Sequence, residues 1–395
     1  MLAIALVAIG LLIRLAISWV SWGSNDVITW AHFSELANRV GLMNAYKQDS
    51  GLNHPPIPVL WAVVAGRMTG LSIWFPFIFK LPIILFEAFT AWVLWRVWQD
   101  RAERNRPRPG RRGERSIAGE NATSAVAGYA LSLCAILVSG YHCNTDTMFA
   151  GLALFSVYLL ERQRPFSGGL ALAAAINIKI IPVLLIPALL LSLRNRRDVL
   201  KFVGGLSIGV IPFVPVLFAV GPSFYQNALA YGSLIDRWGI LYFLLPSNSV
   251  ADGAAMGPAI MYHNLAKWPL LGLIVAWALL ARRLHRWNRY DVAAVTFGIF
   301  LIFTPGFGVQ YTVMIAPLLL ATRVRVGAAY SVTAGLFIGA VYFINLTDDY
   351  PYYSFFNTMF VQPSPLIGLL AWGTLIYYVA TTIKRSRKLE ETLAA

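Results

Sequence analysis

Apolar runs recur along this chain from end to end, separated by short polar stretches. Such runs predict membrane spans rather than surface helices. Twelve fit best, at 2–21, 75–98, 121–140, 147–160, 166–178, 180–193, 199–220, 267–281, 292–304, 310–321, 328–345 and 364–382. Several are shorter than the ~20 residues of a full crossing. The stretch 166–193 admits two readings, two tilted half-crossings around Lys179 or one long span. One span would set RQR (162–164) and RNRR (194–197) on opposite faces. The 54–72 stretch, HPPIPVLWAVVAGRMTGLS, is apolar too. Counted as a span it would put the basic run 101–115 outside, so it reads as an interfacial helix.

Composition agrees. Of the 395 residues 58% are hydrophobic and 13% charged, the latter about half the share of a soluble domain. That excludes a soluble enzyme, a disordered chain and a coiled coil. The net charge of +14 would suit a nucleic-acid partner, but 23 of the 32 Lys and Arg fall in loops that the span pattern makes cytoplasmic. They read as topology determinants, with membrane lipids rather than nucleic acid as the surroundings. Both termini are then cytoplasmic. The apolar start lacks a basic leader and a cleavage site, so it reads as a retained first span. Cys134 and Cys143, about 13 Å apart at helical rise, imply no disulfide framework. The expected fold is an all-α polytopic membrane protein, one transmembrane domain over 1–395. It has outer loops at 22–74 and 221–266 and no soluble C-terminal domain, the chain ending 13 residues after the last span.

The outer side collects the chemistry. Ser24-Asn25-Asp26 follows the first span and can cap a helix. Residues 27–42 are amphipathic: Trp30, Phe33, Ala37 and Val40 share one face, His32, Glu35 and Arg39 the other. Such a helix is expected in the membrane interface, with Asp26 at the membrane–water boundary. A second group is the short turn Tyr141-His142-Cys143-Asn144-Thr145-Asp146. It is either a wet hairpin turn with Asp146 as a cap or a functional site. His142 and Asp146 also permit a metal pair, but no fuller ligand set accompanies them. A third comprises polar residues inside apolar sequence: Lys179 in NIKIIP, Thr304 to Tyr311 in TPGFGVQY, and Glu87. Ionisable residues there are functional candidates. Lys179 has the alternative of snorkelling, and Glu87 is expected to pair with Arg14. The loop 221–266 adds Tyr225, Tyr231, Asp236, Arg237, Trp238, Asn248 and His263. Its aromatics form either an interface belt or a sugar-stacking surface.

These landmarks, in this order, resemble the GT-C superfamily of integral-membrane glycosyltransferases, over nearly the whole chain. SNDVITW looks like the first-loop acid of that superfamily, and His54-Pro55-Pro56 like its HPP or YPP segment. GYHCNTDTMFAGL, AAAINIKIIPVLLIP and TPGFGVQYTVMIAPLLL resemble the His/Asn loop, the Lys-Pro segment and the late Gln-Tyr segment of its polyprenyl-phosphate glucosyl- and mannosyltransferases. Several members carry an adjacent acidic pair in the first loop. Here Asp26 is followed by Val27, which argues against a two-carboxylate or metal-assisted scheme.

The resemblance implies inverting transfer of a hexose or pentose from a polyprenyl-phosphate donor to a hydroxyl of a glycan, lipid or protein acceptor. Asp26 is the expected general base, its pKa raised by partial burial. Asp146 is the second candidate, or orients the acceptor. The leaving phosphate needs cations or N–H donors, from Lys179, Arg237 and His54, with His142 and His263 behind them. Asn144 belongs to the same binding group, and Gln310 and Tyr311 can hydrogen-bond sugar or phosphate. No cofactor is required, and a divalent metal lacks support. The Arg-, Ala-, Leu- and Gly-rich composition points to a bacterial inner membrane, with the site on the periplasmic side. The alternative is a multi-pass transporter or flippase, which would show midplane polar sites and symmetric halves.

Overall fold

The computed structural model describes residues 1–69, 74–104, 114–229, 232–245, 256–283, 288–344 and 364–394. Tyr231, Asn248 and the 105–113 part of the basic run lie outside them. Among the described residues the chain is helical, without strands.

Helix α1 (Leu2–Val20) shows the logic of the bundle. Its buried residues are Gly10, Arg14 and Ser18, one stripe at a spacing of four. Its Leu2, Ile4, Leu12 and Val20 are exposed. A small and polar stripe inward with apolar residues outward inverts the soluble pattern, and suits a helix packed in lipid. Gly10 is needed for the approach, since a Cβ there would lie 2.3 Å from the Ala130 carbonyl oxygen.

Two short helices follow, α2 (Asn25–Val40) and α3 (Leu42–Gln48), then α4 (Pro56–Met68) and the long α5 (Phe75–Arg104). The apolar face predicted for α2 forms, with Trp30, Phe33 and Ala37 buried and His32, Glu35 and Arg39 exposed. That face meets protein rather than lipid. It packs on α4, and the Trp30 ring stacks on Phe79 of α5 at 4.8 Å. The interfacial expectation missed this because α4 brings a matching apolar surface from the same loop.

Helix α6 (Glu114–Ala130) breaks at Leu131–Ser132 and resumes as α7 (Leu133–Ile136), which widens into a π turn at Leu137–His142. The turn ends at Cys143, in the left-handed region at φ 71°. Then comes α8 (Asp146–Glu161), buried on all sides between α5, α9 (Pro165–Ile178), α16 (Arg289–Phe303) and α17 (Ala316–Thr322). A helix apolar all round belongs at the centre. Its first residue, Asp146, lies at the end of the bundle where the helix breaks collect. Glu161 at its other end accepts ion pairs from Arg104 and Arg289 at 3.6 and 3.5 Å, and Arg162 pairs with Asp100 at 3.0 Å.

The remaining helices are α10 (Ile186–Ser192), α11 (Arg196–Gly209), α12 (Phe213–Phe224), α13 (Leu241–Leu244), α14 (Gly257–Leu265), α15 (Lys267–Arg283), α18 (Val324–Ile344) and α19 (Ser364–Ala394). The uncertain 166–193 stretch is two helical pieces meeting at Lys179, whose backbone is extended. Pro182 and Pro187 prevent one continuous helix there. By length and composition, five helices can cross a membrane, or up to seven if two bent pairs each count once. The other predicted spans are shorter helices. This is a polytopic membrane protein.

The expected Arg14–Glu87 pair forms, at 3.8 Å. Arg14 also donates to Ser139 Oγ at 3.1 Å, to the Gly10 carbonyl at 3.0 Å and to the Ala130 carbonyl at 2.6 Å. The last is a carbonyl at the end of α6. Removing one member of a buried pair strands the other, at about 3–5 kcal/mol. We therefore expect Arg14→Met to lower the melting temperature in detergent well below that of Glu87→Gln, which leaves Arg14 three partners. Equal shifts for the two variants would contradict this account.

Candidate active site

Four interruptions in the helices supply the site. The first is the turn from α1 into α2. Ser24 caps α2, its Oγ accepting from the Asp26 amide at 3.2 Å and donating to the His142 carbonyl at 2.8 Å. Asp26 is therefore not the cap, and its carboxylate is left to face the second interruption, Cys143–Thr145. There His142 Nε2 lies 3.1 Å from Asp26 Oδ2, and Asn144 Nδ2 donates to the same oxygen at 2.7 Å. The His142 ring stacks on Tyr342 of α18 at 5.5 Å.

The third interruption is at Lys179. Its ammonium pairs with Asp146 at the start of α8 and lies 4.8 Å over the Tyr311 ring. Tyr311 comes from the fourth, where Pro305 ends α16 and a 3-10 segment, Val309–Ile315, follows. His54 completes the group, its ring tilted against Trp30 with centroids 4.3 Å apart and its carbonyl accepting from the Tyr46 hydroxyl at 2.7 Å. It interacts electrostatically with both Lys179 and Asp26.

Seven predicted residues thus share one site: Asp26, His54, His142, Asn144, Asp146, Lys179 and Tyr311. Gln310 is beside Tyr311, with its buried Oε1 lacking a hydrogen-bond partner among the described residues. Arg237 is buried in the loop that covers this segment. Ser233 of that loop meets the Tyr311 hydroxyl at 3.3 Å, and Trp238 stacks on Phe307 at 4.4 Å. Its aromatic residue Trp238 is thus packed inside the protein, while Tyr225 is exposed. His263 Nδ1 lies 2.8 Å from the Pro305 carbonyl, which makes it a support for the fourth interruption. Among the described residues no three His, Cys, Asp or Glu are grouped to hold a metal ion.

The charge state differs from expectation at Asp26. Burial raises the Asp26 pKa, but the His142 imidazole and the bonds from His142 and Asn144 outweigh it, and the value falls to about 2. Partial burial alone predicted a rise. The partners that reverse it come from 118 residues away in the case of Asn144. His54 is pushed down to about 3 by burial and by the Lys179 cation, against a smaller opposite pull from Asp26. It is a neutral imidazole near pH 7, which makes it an N–H donor rather than a cation, one of the two roles open to it from the sequence. Sequence reasoning missed Lys80 of α5 altogether, a charge that is 0% exposed. Its signal was present, a lone lysine in FPFIFKLPIILF.

With a cluster of ionisable side chains gathered where its helices break, this bundle has the layout of a membrane enzyme. The sequence profile of glycosyltransferase family 87 matches residues 54–307, and the chain belongs to that family of GT-C-type membrane glycosyltransferases. No curated protein matches the chain. The enzyme class replaces the transporter alternative. The matched range holds His54, His142, Asn144, Asp146, Lys179 and Arg237 but stops short of Gln310 and Tyr311, and Asp26 precedes it.

A carboxylate whose folded-state pKa is depressed contributes stability above its ordinary value of 3.8, and loses it as pH falls toward about 2. Wild type should therefore melt above Asp26→Asn in detergent, by a margin that does not narrow between pH 8 and 5. A margin that closes between pH 7 and 5 would show that the carboxylate titrates there, against the assignment.

Proposed function

We propose that the enzyme transfers a hexose or pentose from a polyprenyl-phosphate donor to an acceptor hydroxyl at the outer face of the membrane, with inversion. The observation that carries this reading is that a partly exposed carboxylate and a half-buried lysine lie at the same end of an apolar bundle. The Asp26 side chain is 28% exposed and that of Lys179 12%. An acceptor can reach the first, and a leaving phosphate can share the second.

In this mechanism the acceptor O–H gives its proton to Asp26 as its oxygen bonds the anomeric carbon. The bond from that carbon to the phosphate oxygen breaks, and the phosphate carries off the electron pair. Asp26 is ionised throughout the physiological range, so it has a lone pair for the proton, but with a pKa of about 2 it is a weaker base than a carboxylate tuned near the working pH. His142 and Asn144 hold one oxygen and so fix the direction of the other. Lys179 stabilises the developing phosphate charge in a site of low dielectric, and the His54 imidazole adds an N–H. Asp146, bonded to Lys179, serves to hold that ammonium in place. With Asp146 so committed, Asp26 is the one carboxylate left for chemistry, which favours a single displacement over a covalent sugar intermediate. Tyr311 and Gln310 are assigned to the sugar or phosphate, and Arg237 to the phosphate from the covering loop. These roles need no metal, because the phosphate has Lys179 and Arg237.

The outer placement follows from the positive-inside rule. Arg162, Arg194 and Arg323 follow the ends of α8, α10 and α17, and Arg282 lies in the last turn of α15. In α8 that end is opposite to Asp146. A twelve-segment topology with both termini cytoplasmic is consistent with this, and the donor lipid's tail then lies between helices.

The test is transfer of radiolabelled sugar by purified protein in detergent from a panel of polyprenyl-phosphate sugars, with one arm in EDTA. We expect one donor to work, with and without EDTA. Asp26→Asn should lower kcat by roughly 10²–10⁴-fold, the range of a lost general base, and Lys179→Met by roughly 10²-fold or more. Turnover near wild type in Asp26→Asn would remove it from the role of base. Activity with nucleotide sugars but not lipid-linked ones would overturn the donor class.

A further inference from the structure

Lys80 is a charge that the proposed chemistry does not use. It lies on α5 near its outer end, fully buried, in a run of Phe, Ile, Leu and Pro. A buried ammonium is costly unless its hydrogens are taken up. Here it donates to the Trp22 carbonyl at 3.1 Å and to the Ser21 carbonyl at 3.5 Å. Both follow the last residue of α1, where carbonyls lack helical partners and the dipole favours a cation. Buried Cys143 also interacts electrostatically with this ammonium.

The next residue shows what that clamp holds. Gly23 has φ 107°, and a Cβ there would lie 2.3 Å from the Tyr141 carbonyl oxygen and 2.9 Å from Lys80 Nζ. The chain thus makes a tight turn wedged between Lys80 and the end of the π turn. One residue on, Ser24 bonds the His142 carbonyl and the Asp26 amide. From the ammonium to the carboxylate the path is continuous: Lys80, the carbonyls of Ser21 and Trp22, Gly23, Ser24, Asp26.

We propose that Lys80 is a positioning residue for the transfer reaction, clamping the first outer turn so that the Asp26 carboxylate meets His142 and Asn144. This rests on the reading of Asp26 as the base. Lys80 itself touches neither sugar nor phosphate, being enclosed by backbone. Displacing a reacting group by about 1 Å costs about 10²-fold in rate, so the clamp matters to kcat out of proportion to its distance.

The test compares wild type, Lys80→Met and Lys80→Arg in the transfer assay, with Asp26→Asn measured beside them. In Lys80→Met we expect kcat to fall by about 10²-fold, donor KM to stay within about threefold, and Lys80→Arg to recover part of the loss. The pH profile is the diagnostic readout. The groups facing Asp26 are His142 and Asn144 in the π turn and its exit, His54 before α4, Lys179 with Asp146, and Cys143. A carboxylate swung away from His142 and Asn144 keeps its burial without their opposing pull, so its pKa rises. Lys80→Met should then show an acid limb in kcat at a higher pH than wild type. If that variant fails to elute as a single species, Lys80→Gln, which keeps one donor group, takes its place under the same criteria. Wild-type kcat with an unmoved profile overturns the proposal, as does a loss confined to KM, which would put Lys80 in contact with substrate. Turnover retained in Asp26→Asn overturns the base reading instead. Turnover lost there, with Lys80→Met unaffected, overturns the Lys80 proposal alone.

Discussion

Backbone in an apolar bundle can leave the helix only where something else takes its hydrogen bonds. Most of the breaks described above have such a partner. Arg14 takes the carbonyl left at the end of α6, Lys80 those after α1, and Ser24 that of His142. In the fourth interruption the Thr304 hydroxyl donates to the Gly306 carbonyl at 2.5 Å, and the Phe307 amide to the Leu234 carbonyl at 2.9 Å. The breaks sit together because their partners are shared between neighbouring segments. A polar site in such a protein is thus a by-product of the rule that allows helices to be broken.

Much of this was legible in the sequence, for definite reasons. Lys179, His142 and Asp146 stand out because ionisable residues are rare in apolar runs. Arg14 and Glu87 read as a pair because each would be too costly alone. The amphipathic face of α2 was legible from its period, but its covering was not, since periodicity says that a face is buried and not by what. Charge states were the least legible. The Asp26 carboxylate is held by residues of a different helix, and local sequence carries no trace of that contact. Lys80 escaped because a lysine five residues into a helix has two fates, snorkelling outward or turning inward, and only the carbonyls of α1 decide between them.

The family match bears on which parts of the site are general. It begins at His54 and ends at Phe307, so it takes in the π turn, Asp146 and Lys179. The carboxylate comes from before it and Tyr311 from after it. The matched core therefore carries the imidazoles and the cation, and the two flanks close on it from either end.

The spread of these partners along the chain also governs how the protein is made. Helix α1 leaves the ribosome before its partners, with Arg14 on its inward stripe. Its partners Glu87, Ala130 and Ser139 are synthesised much later. Until then the arginine faces lipid or the insertion machinery alone, at a cost of ~2.5–3.5 kcal/mol on insertion scales. The first span is therefore unsettled in the bilayer until α5 and the π turn arrive beside it. The same arrival brings His142 and Asn144 to Asp26. Secure insertion and assembly of the site thus fall at one stage of biogenesis, and no shorter nascent chain can hold the Asp26 carboxylate against His142 and Asn144.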